Sequence, residues 1–131
     1  MSHPRRNDPF AELFGELGER LGGDRWRPDV DVFETDAAVE VRVDIAGVRR
    51  EDLHVAVDGQ VLRVSGVRRS PEGPDAKRLH QMEIAAGPFE RRVRIPIAFD
   101  RERVTAHLAE GFLTVTLPRR AREPRSVEVR R

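Results

Sequence analysis

The chain has 131 residues, of which 36% are charged and 38% hydrophobic, and its formal net charge is +1. This length allows one core with short extensions, and the absence of cysteine excludes disulfides and thiolate metal sites. No apolar run reaches the roughly 20 residues that span a bilayer, and the first residues lack the apolar core of a secretory signal. We therefore expect a cytoplasmic protein.

Residues 1–27 predict a short helical arm, because their pattern of apolar residues differs from that of the rest of the chain. An apolar residue recurs every three or four positions, as on one face of a helix. The recurring residues are Phe10, Leu13, Phe14, Leu17 and Leu21. A helix of this length is marginal in water on its own. It either packs on its own domain or serves as an arm that binds partner subunits or unfolded protein.

The middle of the chain alternates apolar and polar residues with the period of a β-strand. The alternating segments are 26–35, 39–45, 53–57, 61–64, 89–95, 104–108 and 113–117. Asp58-Gly59 and Glu110-Gly111 lie between adjacent segments and indicate β-hairpins. Pro118 ends the last segment, because proline has no backbone donor for a sheet.

Between the fourth and fifth segments, residues 66–78 hold two prolines and two glycines and predict a long loop. No segment with a helical period separates the strands. We therefore predict an all-β fold, an immunoglobulin-like antiparallel β-sandwich of seven or eight short strands.

Arg91 shares the apolar face of its strand with Phe89 and Val93. An unpaired buried charge costs several kcal/mol, on the order of 3 to 5. We therefore predict a carboxylate or carbonyl partner for Arg91, unless it lies at an exposed end of the strand.

The residue patterns of common active sites are missing. The only lysine, Lys77, follows Ala76 and so cannot belong to a G-x-x-x-x-G-K phosphate loop. The histidines lack the spacing of paired metal ligands, and no serine lies in G-x-S-x-G. The histidines are His3, His54, His80 and His107. We predict a protein that is not an enzyme and has no cofactor or metal.

The last 14 residues are basic, with six arginines against two glutamates. A basic tail can contact nucleic acid or an anionic membrane, but it can also keep an exposed segment solvated. No aromatic residue lies among these arginines to stack on bases, so we expect no nucleic-acid partner. Val127-Glu128-Val129 then presents two apolar prongs on one side, as one more strand of the domain also would.

Five blocks resemble, in consistent order, the small heat-shock proteins (the Hsp20 or α-crystallin domain family) of the bacterial type. W-R-P-D-V-D-V-F-E-T is similar to the opening of their domain, and D-I-A-G-V-R-R-E-D-L-H-V to their D-l-P-G-v-x-k-E-D-i-x-V block. V-L-R-V-S-G resembles the hairpin that follows, and G-P-F-E-R-R-V-R-I-P their G-x-F-x-R-x-x-x-l-P. A-H-L-A-E-G-F-L-T-V-T-L-P resembles the closing A-x-x-x-n-G-v-L-x-V-x-v-P. Glu110 replaces the usual asparagine or aspartate, and Ala46 the usual proline.

The resemblance covers residues 26–129 and implies an ATP-independent chaperone that holds unfolding proteins. It would work in the stress response as a dynamic homo-oligomer built from dimers. The implied organisation is a helical arm at 1–27, an α-crystallin-type β-sandwich at 28–118 and an extended tail at 119–131. The alternatives are a non-catalytic docking module of the co-chaperone type, which binds a folded partner, and a nucleic-acid-binding scaffold that uses the basic tail.

The resemblance also assigns roles to residues. A tail anchor at Val127 and Val129 would enter a groove of another subunit. That groove would be lined by Val55, Val57, Ala106 and Leu108. A dimer would form when a strand from the long loop joins the partner's edge strand. Its interface residues would be Val30, Val32, Arg78, Leu79, Met82, Glu83 and Arg91. Client proteins would bind Phe10, Leu13, Phe14 and Leu17.

Each valine of the anchor lacks one methylene relative to the I-x-I of the family, worth about 0.8 kcal/mol when buried. We expect a weaker and more dynamic anchor.

Overall fold

Seven antiparallel strands form two sheets in the computed structural model, which describes residues 26–70, 76–121 and 126–131. The strands are β1 (Val30–Glu34), β2 (Ala38–Asp44), β3 (Leu53–Asp58), β4 (Val61–Arg68), β5 (Gly87–Arg94), β6 (Thr105–Ala109) and β7 (Phe112–Pro118). One sheet has the order β1-β2-β7-β6 and the other β3-β4-β5. The predicted all-β sandwich is confirmed. The helix predicted within residues 1–27 lies outside the described residues.

The core lies between the two sheets and is built from alternate residues of the central strands. Val39, Val41 and Val43 of β2 are opposite Leu117, Val115 and Leu113 of β7, and all six are buried. Such directly opposed pairs stabilise a sheet through side-chain packing. From the other sheet, Leu62, Val64 and Phe89 complete the core. The apolar alternation in the sequence therefore identified the inward faces of these strands.

The structure corrects the predicted start of the long loop, because β4 continues to Arg68 and includes Gly66. Gly66 is paired with Phe89 of β5 and with Leu53 of β3. A Cβ atom at this position would lie 2.3 Å from the backbone oxygen of Asp52 and 2.9 Å from Cζ of Phe89. The glycine that indicated a loop instead permits a close approach within the sheet.

Two-residue loops close both predicted hairpins. Glu110 and Gly111 have φ values of 54° and 83°, so both central residues are left-handed, as in a type I′ turn. In the other hairpin Asp58 still pairs with Val61, and the loop is Gly59-Gln60, with a positive φ of 61° at Gly59. This loop therefore lies one residue further along than Asp58-Gly59 indicated.

Candidate assembly surfaces

At one side of the sandwich, the edge strand β1 lies near the edge strand β5. The Trp26 ring, just before β1, meets the ring of Phe89 edge-on with 4.9 Å between centroids. Val32 pairs with the buried Val41 and therefore faces the core side of the sheet, yet it is 44% exposed. The inward face of β1 is thus only partly covered by the second sheet.

Arg91 lies beside this opening. It is partly buried, and its Nη1 donates a hydrogen bond to the backbone carbonyl of Pro28 at 2.7 Å, which confirms the predicted carbonyl partner. Burial and, secondarily, the neighbouring charge of Arg27 lower the pKa of Arg91. The charge of Asp29 acts in the opposite direction, and among the described residues no carboxylate forms an ion pair with Arg91. An added carboxylate would be stabilised here.

An open depression of about 350 Å³ surrounds Arg91 and leaves room for such a carboxylate. The other lining residues are Trp26, Arg27, Glu90 and Arg92.

The segment before β5 carries most of the remaining predicted interface residues. Leu79, Met82 and Ile84 are large apolar side chains exposed to solvent. Arg78 and Glu83 are exposed as well, and Glu83 accepts a hydrogen bond from the side chain of Gln81. Residues 76–86 form no strand within this single chain.

Arg68, which sequence reasoning missed, holds the returning end of this segment. Its Nε donates to the carbonyl of Ala85 at 2.8 Å, and its Nη1 donates to the carbonyl of Ala46 at 3.2 Å. Its guanidinium carbon also lies 3.6 Å from the centroid of the Trp26 ring, a cation–π contact. The sequence around Arg68 shows only two adjacent arginines and does not indicate this role, because the partners of Arg68 lie at distant positions in the chain.

Arg69, directly after β4, is bonded to the residue that precedes β3. Its Nε and Nη2 donate to the two carboxylate oxygens of Asp52 at 2.9 and 3.0 Å, a bidentate arrangement. The exposed apolar residues Leu79, Met82 and Ile84 thus lie shortly before Ala85, whose carbonyl Arg68 holds.

The opposite side of the sandwich is bounded by the edge strands β3 and β6, since β1 lies beside β5. Val55, Val57 and Leu108 pack partly buried against the core, and Ala106 is exposed. Ala106 and Leu108 are opposite the buried Val115 and Leu113, so they face the core side. All four predicted groove residues therefore belong to edge strands at this side.

The two tail valines are far from buried. Val127 is 76% exposed and Val129 is 91% exposed, and residues 126–131 form no strand. The alternative interpretation of Val127–Val129 as a further strand of the domain is therefore wrong.

Neither a metal site nor a membrane helix is found in the part of the chain that the structure describes. No group of three histidine, aspartate or glutamate side chains there could hold a metal ion. No helix there is long and apolar enough to cross a bilayer.

Comparison with known proteins identifies the family of this sandwich. The model of the Hsp20/alpha crystallin family matches residues 31–130. The chain belongs to this family. The small heat-shock proteins are stress-response chaperones and not enzymes.

Two plant relatives illustrate the match in sequence. A 21.9 kDa heat shock protein of Oryza sativa subsp. japonica is 49% identical over 112 residues, which cover 76% of this chain but only 54% of that protein. The 16.9 kDa class I heat shock protein 1 of Triticum aestivum is 38% identical over 136 residues, covering 91% of this chain and 90% of that protein.

Solved structures agree with this assignment. Heat shock protein 16.0 of Schizosaccharomyces pombe superposes with a TM-score of 0.68 at 30% identity, covering 81% of this chain and 100% of that one. A small heat-shock protein of Xylella fastidiosa, described as having a distinct high order structure, gives a TM-score of 0.69 at 28% identity and covers 82% of this chain and 100% of its own.

Proposed function

We propose that this small heat-shock protein is an ATP-independent holdase, which binds unfolding proteins and suppresses their aggregation as a dynamic homo-oligomer built from dimers. The observation that carries the proposal is the exposure of the tail valines, 76% for Val127 and 91% for Val129. Two apolar prongs exposed on an α-crystallin-type sandwich are suited to binding another subunit.

The dimer would form at the side where β1 and β5 lie. The segment around Arg78 to Glu83 of one copy would add a strand to β1 of the other, which would cover Val32 and the free backbone groups of the edge. Glu83 of the donated segment would then supply a carboxylate to Arg91 of the copy that receives it. The lowered pKa of Arg91 and the depression beside it support this pairing.

The tail would link dimers into larger assemblies. Val127 and Val129 would insert between β3 and β6 of a neighbouring dimer, where Val55, Val57 and Leu108 are only partly covered. Backbone hydrogen bonds to an edge strand would contribute affinity and the alternate side chains specificity.

Clients would bind through exposed apolar surface, without nucleotide. The helical arm with Phe10, Leu13, Phe14 and Leu17 is the proposed client-binding segment, and it lies outside the described residues. Covering apolar surface on an unfolding client lowers its tendency to aggregate, because that surface no longer meets another client.

Light scattering of a heated, aggregation-prone client tests the proposal. The client is heated alone and with this chain, without nucleotide, and we expect suppression near an equimolar subunit ratio. The variant with Val127→Ala and Val129→Ala should form smaller assemblies and differ from the wild type in how far it suppresses client aggregation. The matched control is Glu128→Ala, which alters the same motif between the prongs and should behave as the wild type.

No suppression at several-fold excess by a folded protein would overturn the holdase function. The remaining function would then be the docking module that binds a folded partner.

A further inference from the structure

A second small depression lies where three separate parts of the chain meet. Its volume is about 110 Å³, and it is lined by Gly59, Gln60, Ala98, Phe99, Arg101 and Arg120. These residues belong to the β3–β4 loop, the connection after β5 and the first residues after β7. The depression therefore exists only in the folded chain.

Backbone hydrogen bonds fix the walls of this depression. The N–H of Ile95 donates to the carbonyl of Gln60 at 2.7 Å, which ties the β3–β4 loop to the end of β5. The N–H of Arg120 donates to the carbonyl of Ala98 at 3.0 Å, and the N–H of Asp100 to the carbonyl of Pro118 at 2.9 Å. The backbones at the two arginines are thus held at the depression.

The charge of the depression is positive and unbalanced. Arg101 and Arg120 line it and no carboxylate does, and within residues 26–70, 76–121 and 126–131 neither guanidinium forms an ion pair. The nearby carboxylate of Asp100 accepts the N–H of Glu102 at 3.2 Å and does not line the depression. The neighbouring Arg119 differs in this respect, because it lies 3.9 Å from a carboxylate oxygen of Glu34.

We propose that this depression, the hinge pocket, binds a single phosphate group between the guanidinium groups of Arg101 and Arg120. Each planar guanidinium can donate two parallel hydrogen bonds to a phosphate, which carries about −1.5 to −2 charges at neutral pH. Gln60 adds a neutral amide donor at the same pocket. The volume suits one phosphate and leaves no room for a base or a sugar, so any larger phosphate-bearing molecule extends outside.

The position of Arg120 links this pocket to the tail. Arg120 is the second residue after β7 and the start of the segment that leads to Val127 and Val129. A phosphate that holds Arg120 against Arg101 restricts the direction in which the tail leaves the sandwich. Phosphate binding therefore favours assembly through the tail, and this consequence rests on the proposed function.

Isothermal titration calorimetry with sodium orthophosphate tests the site itself. The full chain is titrated in a phosphate-free buffer at constant ionic strength, and one saturable site per subunit is expected. Arg101→Gln and Arg120→Gln should each weaken binding by about tenfold or more, because a hydrogen bond to a charged group is lost. Arg101→Lys should retain part of the affinity, since it keeps the charge but loses the planar donor fork.

The matched controls are Arg103→Gln and Arg119→Gln. Each removes the same charge next to a pocket arginine, but neither residue lines the pocket. These variants should bind phosphate within about twofold of the wild type, because solvent screens the interaction with exposed charges. Equal weakening by all four glutamine variants, or the absence of saturable binding by folded protein, overturns the hinge pocket.

A parallel titration with ADP distinguishes free phosphate from the terminal phosphate of a larger molecule. If ADP binds more tightly than orthophosphate and this binding is lost in Arg101→Gln, the pocket binds the terminal phosphate of a larger molecule. If ADP binds equally or more weakly than orthophosphate, the pocket binds the free anion.

Light scattering with size-exclusion chromatography then tests the consequence for assembly. Phosphate should shift the wild type toward larger assemblies and leave Arg120→Gln unchanged. If calorimetry shows phosphate binding but the assemblies do not become larger, only the proposed link between phosphate binding and assembly is overturned. The holdase assay is independent of both measurements.

Discussion

Arg68 shows how one side chain can organise three distant segments. Its donors reach the carbonyls of Ala46 and Ala85, and its guanidinium stacks on Trp26. Arg68→Ala should therefore lower the free energy of unfolding by about 1–2 kcal/mol, as expected for charged hydrogen bonds and a cation–π contact at a partly exposed site. Amide hydrogen exchange should become faster at residues 84–87 and 46–48 in particular.

Arg63→Ala is the control for this measurement, because Arg63 lies on the same strand and the part of the chain that the structure describes offers it no such partners. Identical exchange profiles for the two variants would contradict the role of Arg68. Arg68→Lys should lie between Arg68→Ala and the wild type, since an ammonium group cannot reach both carbonyls in fork geometry.

The ion pair between Asp52 and Arg69, next to the end of β4, is sensitive to pH. The bidentate hydrogen bond from Arg69 lowers the pKa of Asp52 below its ordinary value of 3.8, against the opposing effect of burial. A carboxyl group whose pKa is lower in the folded state adds stability above its unfolded pKa, and this stability is lost as the pH falls through the folded value. The effect is small, because Arg69 is largely exposed and the pair is screened.

Asp52→Asn should therefore lower the melting temperature slightly at neutral pH, and the difference should shrink as the solution is acidified below the ordinary carboxyl value. Calorimetric melting of both proteins across the acidic range measures this. Asp58→Asn, which removes a carboxylate at an exposed strand end, is the control variant. A difference for Asp52→Asn that stayed constant with pH would exclude the ion pair as its cause.

At the scale of elements, the β6–β7 hairpin contains a local conflict between residue and conformation. Glu110 has a φ of 54°, which favours glycine and asparagine over a longer side chain. Glu110→Asn keeps the turn and relieves this strain, so it should raise the free energy of unfolding by about 0.5–1 kcal/mol and the melting temperature by a few degrees. Thermal unfolding followed by circular dichroism measures the change.

The matched control is Gln60→Asn. Gln60 is the second residue of the other two-residue loop, but its φ is not positive, so a similar shortening of the side chain to asparagine should leave stability nearly unaltered. A drop in stability for Glu110→Asn would show that the glutamate side chain makes a compensating contact.

At the scale of the whole molecule, the proposed dimer depends on one charge pair between copies. Glu83→Arg should weaken the dimer strongly, because it places an arginine opposite Arg91, Arg27 and Arg92. Combining it with Arg91→Glu should recover part of the affinity, since the charges are again opposite. Sedimentation velocity over a range of concentrations measures both.

Glu90→Arg is the control for the charge reversal, because Glu90 lines the same depression but pairs within its own chain with Arg92 at 3.4 Å. Dimers of unchanged stability in Glu83→Arg would contradict the proposed pairing. A double variant no better than Glu83→Arg, despite a normal melting temperature, would exclude a direct contact of the two residues.

Local pattern in the sequence predicted most of the sandwich. The alternation in β2 and β7 identified the buried faces, because one sheet face is apolar and the side-chain period is two. The glycines at positions 59 and 111 indicated the hairpins, because a two-residue loop needs a positive φ that glycine adopts without strain. The ordered motifs predicted the family, which the comparisons confirmed.

The same local pattern was wrong at Gly66, where close packing of backbone and Phe89 requires glycine inside a strand. It could not show that Arg101 and Arg120 line one depression. It also could not identify the partners of Arg68 or the carbonyl that Arg91 contacts. These contacts join residues about 17 to 63 positions apart. Strand order and the packing of one sheet on the other decide them, and neither is encoded in the period of any single segment.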